Sequence, residues 1–193
     1  MPRSEDFNRD EVLDKAKDVF WMKGYNGTSM QDLVDAMGLN RSSIYNSFGN
    51  KMELYQQSLK KYQEESGCLF DKVKEKNRNA LESVGLAFLY LLDEMIHDKQ
   101  DKGCMLINCY TEMGNQDEQL RTMLEANQSR LHDTFVDLVG QGQEDGSIRK
   151  DESSDALAHY LVSAFQGFRI TGLNVRDPKI LKGIIQNILK TIA

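Results

Sequence analysis

Leu33-Val34-Asp35-Ala36-Met37-Gly38-Leu39-Asn40-Arg41-Ser42-Ser43-Ile44-Tyr45-Asn46-Ser47-Phe48 carries most of the information in this chain. Leu33, Val34 and Met37 share a helical face with Met30 just before them. Gly38 then supplies a stop, Leu39 an inward turn residue, and Asn40 an N-cap for a second short helix carrying Ile44, Tyr45 and Phe48. Two short helices joined by a tight, glycine-containing turn form a helix-turn-helix, whose second helix can lie in the DNA major groove. On that helix Ile44 and Phe48, four residues apart, pin one side inward and leave Arg41, Ser42, Ser43, Tyr45 and Asn46 toward solvent. Arginine can bridge guanine O6 and N7, asparagine can pair with adenine, and serine can bond either edge, while Tyr45 suits a phosphate. The same residues also read as a plain solvated turn of helix, so the flanking sequence has to decide.

Upstream, Val12, Leu13, Ala16, Val19 and Phe20 repeat at helical spacing over about 8–23, with Lys23 as a cationic last turn and Gly24 as a left-handed stop. Thr28-Ser29-Met30-Gln31 reads as a capping box with Thr28 at the N-cap and Gln31 reaching back. Downstream, Gly49 ends the second short helix, and Asn50 with Glu53 opens a longer one striped by Met52, Tyr55, Leu59 and Tyr62. That helix is expected to reach about residue 76, bending near Gly67. Further helices are expected over 81–96, between Gly103 and Gly114, from Asp117 to about Gln143, over 152–171 and over 178–191. Two prolines in 193 residues leave these stretches unbroken. The fold class is therefore all-α, about nine helices, with a three-helix N-terminal domain at 1–50 and a helical body at 51–193.

With 40% hydrophobic and 28% charged residues the chain can build a core. No run approaches a membrane span and Met1 to Asp10 is polar, so a cytoplasmic protein is expected. Cys68, Cys104 and Cys109 are odd in number and lack zinc-type spacing, which makes reduced thiols the expectation. The net charge is −6; residues 1–52 hold seven Lys/Arg against eight Asp/Glu, a balance of −1 that leaves −5 for the rest. Any DNA contact must come from placement, not from excess charge.

The stretch from Asp10 to Leu54 resembles the N-terminal region of the TetR/AcrR family of regulators. The resemblance lies in Val19-Phe20 followed by Lys23-Gly24-Tyr25, Thr28-Ser29-Met30, Asp32-Leu33-Val34, Gly38-Leu39-Asn40, Ile44-Tyr45, Phe48 and Lys51-Met52-Glu53-Leu54. It implies a transcriptional regulator, most often a repressor, that binds a palindromic double-stranded DNA operator as a homodimer and leaves it when a small molecule enters the C-terminal body. Position by position, Thr28 and Ser29 would hold phosphates, Arg41, Ser42, Ser43 and Asn46 would read bases with Asn40 beside them, and Tyr45 and Lys51 would clamp the backbone. Two positions depart from the family: Ser42 stands where glycine is frequent, and Asn46 where an aromatic residue or histidine is frequent. Operator sequence therefore does not carry over. Other readings of the same α-helical face are a protein-binding adaptor, or an activator or master regulator without an effector.

The last two helices carry apolar residues in i, i+1, i+4, i+5 clusters, wide enough for a partner as well as the chain's own body. Leu157, Leu161, Phe168, Ile180, Ile184 and Ile188 are the expected interface of a four-helix dimer contact, with intramolecular core as the competing use. Phe88, Met105, Asn108, Tyr110, Phe135, Phe165 and Gln166 could line an effector pocket, apolar with a few directional groups, or could be close-packed core. Gly103-Cys104-Met105-Leu106 resembles a segment in the family branch that includes the N-ethylmaleimide-responsive repressor, which implies a redox-sensing role for Cys104. At a helix N-terminus aligned amides would favour its thiolate, whereas a buried cysteine is ordinarily a small hydrophobe. No metal site is expected, because His97, His132 and His159 are far apart and none pairs at i, i+4 with another His or Cys. No cofactor motif, nucleophile elbow or zinc-hydrolase helix is present, so no catalytic residue is assigned and an enzyme is not expected.

Overall fold

The computed structural model describes residues 7–74 and 79–193. Among them are nine helices and no strand: α1 (Arg9–Lys23), α2 (Met30–Met37), α3 (Arg41–Phe48), α4 (Lys51–Lys74), α5 (Ala80–His97), α6 (Met105–Met113), α7 (Glu118–Asp145), α8 (Ser154–Asn174) and α9 (Pro178–Ile192). Residues 75 and 76, expected to extend α4, and the Cys68 side chain lie outside the described part. No helix is long and apolar enough to cross a membrane.

The chain forms two compact units, one of residues through Ser66 with Met105–Arg121, the other of Gly67–Cys104 with Thr122–Ala193. This differs from a division after residue 50, and aromatic packing explains why. Tyr55 meets Phe20 edge-on at 4.9 Å between ring centroids, and Tyr62 meets Trp21 at 4.9 Å, so the first turns of α4 are bound to α1. From α6 the Glu112 carboxylate accepts the Tyr25 N–H at 2.9 Å and the Asn26 N–H at 2.7 Å, just past the end of α1. Gly24 has φ 71° and ψ 176°, a positive-φ extended geometry in place of the expected left-handed helical one. A Cβ at Gly24 would lie 2.6 Å from Glu112 Oε2, so the missing side chain also makes room for the clamp.

The capping box of α2 is one residue later than the Thr28–Gln31 reading. Ser29 is the N-cap; its Oγ accepts the Asp32 N–H at 3.1 Å, and Asp32 Oδ2 accepts the Ser29 N–H at 2.8 Å. Thr28 is 1% exposed and its hydroxyl donates to the Gly24 carbonyl at 2.6 Å. The hydrogen bond from Lys23, then those from Ser29, hold the Asp32 carboxyl well below its ordinary value of 3.8. A depressed folded-state value means that this carboxylate stabilises the fold above the unfolded value and stops doing so as pH falls through the folded one. Asp32→Asn should therefore lower the melting temperature at pH 7, and the gap to the parent should close as both are acidified. A gap of equal size at neutral pH and in strong acid would contradict this assignment.

In the second unit α5 buries Val84, Phe88, Leu91 and Leu92. Phe165 packs against Phe88 at 5.4 Å and Phe135 at 5.8 Å, and Phe70 against Phe135 at 5.6 Å. Leu157, Leu161, Phe168 and Ile188 belong to this same core. Within one chain these four take the competing use, intramolecular core, because the i, i+4 stripe turns them inward. Ile180 is 54% exposed and Ile184 partly so; Tyr160 and Ile170 join them on the outside of α8.

Candidate nucleic-acid interface

Helix α3 is presented by a short turn. Gly38 at φ 69° and ψ 22° caps α2 in the left-handed region that other residues reach only with strain, and its N–H donates to the Val34 carbonyl at 3.0 Å. Two residues later Asn40 Oδ1 accepts the Ser43 N–H at 2.9 Å and starts α3. Ile44 and Phe48 are 1% and 2% exposed, which fixes the roll of the helix. Arg41, Ser42, Tyr45 and Asn46 consequently face solvent, with Ser43 half-buried. Arg41 lies along the same face, its guanidinium donating to the Tyr45 hydroxyl at 3.4 Å. Among the described residues neither Arg41 nor Lys51 has a carboxylate partner. Lys51 Nζ sits 4.3 Å from the centroid of the Tyr25 ring, a cation–π contact that places an uncompensated charge beside the α4 start.

The phosphate-holding role expected at the α2 start is divided by this geometry. Ser29 is exposed, although its hydroxyl donates to Asp32 at 2.7 Å; Thr28 is turned inward and its hydroxyl is already bonded. Asn40 uses its side-chain oxygen for the α3 cap.

The family model for bacterial regulatory proteins of the tetR family matches residues 12–57, and that for the tetracyclin repressor-like C-terminal domain matches residues 81–188. The chain belongs to the TetR family. It is a helix-turn-helix transcriptional regulator of that family. The chain is similar to the uncharacterized HTH-type transcriptional regulator YezE of Bacillus subtilis strain 168, at 29% identity over 162 residues, covering 83% of this chain and 84% of the relative. It is also similar to the HTH-type transcriptional repressor ComR of Escherichia coli strain K12, at 27% identity over 170 residues, covering 88% and 81%. Among solved structures, a cysteine mutant of the TetR family regulator CifR, complexed with 26 bp double-strand operator DNA, matches with a TM-score of 0.85 at 25% identity over 99% of this chain and 100% of that one.

The other residues expected to serve a TetR-family regulator fare unevenly. Phe88, Phe135 and Phe165 meet in one close-packed aromatic cluster, which is core packing, and Gln166 donates to Gln128 at 2.6 Å. Met105, Asn108 and Tyr110 belong to the other compact unit; Met105 is buried and Tyr110 is 62% exposed. Of the seven, Phe88, Phe135 and Phe165 take the close-packed core use that the sequence also allowed. Cys104 is a half-buried free thiol immediately before α6. Cys109 is fully buried beside Tyr55, and burial pushes its thiol up, away from the reactive thiolate.

One grouping in this TetR-family chain was not legible from spacing. His132 and His159, read as distant, lie with ring centroids 4.2 Å apart and planes tilted by 35°, and Asp155 stands four residues before His159. The available signal is the Asp155–His159 i, i+4 pair on α8, which carries one carboxylate and one imidazole on the same helix face.

Proposed function

We propose that the chain is a dimeric repressor, acting in the cytoplasm, that holds an inverted-repeat operator through α3 of each protomer and releases it when an effector binds the second unit. The observation that carries this reading is the two-faced α3, with Ile44 and Phe48 buried beneath Arg41, Ser42, Tyr45 and Asn46. That arrangement aims base-reading and phosphate-holding groups outward from a rigid support. The relatives named as repressors and the solved neighbour carrying operator DNA support it. Exposed Tyr160, Ile170 and Ile180, together with Gly167 and Gly183, where an added Cβ would meet nothing, supply an outer α8–α9 surface suited to a two-fold partner. Release follows from an effector that binds one packing of the second unit better than another; equal affinity for both would shift nothing.

Selection of bound duplexes from a random pool tests this directly. The expected product is an inverted repeat whose half-sites are centred roughly 34–36 Å apart or at a multiple of that distance. Enrichment of no motif, or binding by a monomer in sedimentation, would sink the reading and leave an adaptor using the α3 face as the better one.

A further inference from the structure

We propose that His132, Asp155 and His159 hold a divalent transition-metal ion of the zinc class, bound between the middle of α7 and the first turns of α8. One ligand atom from each of the three lies within 4.8 Å of the others. His132 Nε2 is 3.5 Å from Asp155 Oδ1, and His159 Nε2 is 3.9 Å from Asp155 Oδ2. Zinc–nitrogen and zinc–oxygen bonds of about 2.0–2.2 Å in a tetrahedron place neighbouring donor atoms roughly 3.3–3.6 Å apart. The two His–Asp separations already approach that spacing, and the triad as a whole, within 4.8 Å, closes on one ion with side-chain movements of about 1 Å.

Hydrogen bonding points the same way. His132 Nε2 is buried and makes no hydrogen bond among the described residues, although Asp155 Oδ1 lies 3.5 Å from it. A buried ring nitrogen aimed at a carboxylate and a second imidazole, and satisfied by neither, fits a metal better than it fits a network of neutral groups. On the other side of the ring, Asp133 Oδ1 lies 3.8 Å from His132 Nδ1. Brought into hydrogen-bond reach, a carboxylate on that side would hold the proton on Nδ1 and leave the Nε2 lone pair for the ion, as in metal-bound histidines generally. Two imidazoles and one carboxylate suit zinc, copper or nickel and do not suit magnesium or calcium, which take oxygen donors. Three protein ligands leave a position for water or an exogenous ligand.

The site owes its existence to the 146–153 connection. This segment folds back along the end of α7: the Ile148 N–H donates to the Gly142 carbonyl at 2.9 Å, and Gln143 Nε2 donates to the carbonyls of Arg149 and Glu152 at 2.9 and 2.8 Å. Helix α8 accordingly begins beside the middle of α7, with Asp155 in its first turn, and not at the α7 terminus. Ser153 caps α8 and Leu157 and Leu161 bury its inner face, so the fold does not depend on the ion.

The test uses the full chain free of any tag, stripped with a chelator and titrated with ZnCl2 by calorimetry, with Co2+ absorption reporting geometry. One Zn2+ per chain is expected, and tetrahedral-type Co2+ bands, while Mg2+ should give no binding signal. His159→Ala and Asp155→Asn alter exposed side chains, so folding should persist by circular dichroism. Each should weaken Zn2+ by on the order of 100-fold or more, and Asp133→Asn by roughly 10-fold, within the range that loss of a supporting carboxylate costs. Unchanged affinity in both ligand variants would overturn the proposal. So would loss of binding in Cys104→Ser or Cys109→Ser with the histidine variants unaffected, since the ion would then sit on thiols. Neither readout involves DNA, so this result and the operator selection fail or succeed separately.

Discussion

Phe48→Ala is expected to cost about 3–5 kcal/mol of the stability of the DNA-binding unit, the usual price of emptying a buried aromatic site. Phe48 is 2% exposed at the last turn of α3, with Phe7 6.3 Å away between centroids and the Arg9 guanidinium 4.4 Å above its ring. Alanine leaves a void that these neighbours cannot fill, because Arg9 is also tied to Gln57 at 2.7 Å. Domains are stable by only about 5–15 kcal/mol, so roughly a fifth or more of the margin is at stake. The denaturation midpoint should fall with an unchanged dependence on denaturant, and Phe48→Leu should fall distinctly less. A loss under about 1 kcal/mol for the alanine variant would show that α3 is held by something other than its buried face.

Arg41→Ala is expected to leave stability alone and to cost about 1–3 kcal/mol of affinity for the best operator, with relaxed preference at one base pair. The side chain is exposed, at the α3 N-terminus, and meets the Tyr45 hydroxyl and ring face. Removing it therefore takes away no packing that the fold needs. Lys51→Ala should behave differently. Its charge stands over Tyr25 at the α4 start, off the α3 face, and it should weaken all sequences alike and reduce the salt slope by about 1. Parent-like binding by both variants across several salt concentrations would remove α3 and the α4 start from the interface.

The helix-turn-helix was legible because its signals are local. Gly38, Asn40, Ile44 and Phe48 act within one or two turns, where stop, cap and i, i+4 spacing are set by backbone geometry alone. The capping box of α2 was displaced by one residue for an equally local reason that sequence left ambiguous. Thr28 with Gln31 and Ser29 with Asp32 both fit the pattern. The charged Asp32 carboxylate, which also meets Lys23 and accepts the Ser29 N–H, makes the stronger cap and leaves the Thr28 hydroxyl to Gly24.

Sequence by itself determined the helices α1 to α9, the outward polar face of α3 and the resemblance to a family of regulators, since each depends on residues a few positions apart. Tertiary structure alone decided three things. It used Leu157, Leu161, Phe168 and Ile188 inside the chain, it bound α6 and the start of α4 to the DNA-binding unit, and it brought His132 to Asp155 and His159. All three turn on which face of a helix meets which neighbour. Helical periodicity names the face and leaves the neighbour open, and the neighbour is selected only when segments far apart in the chain bury one another.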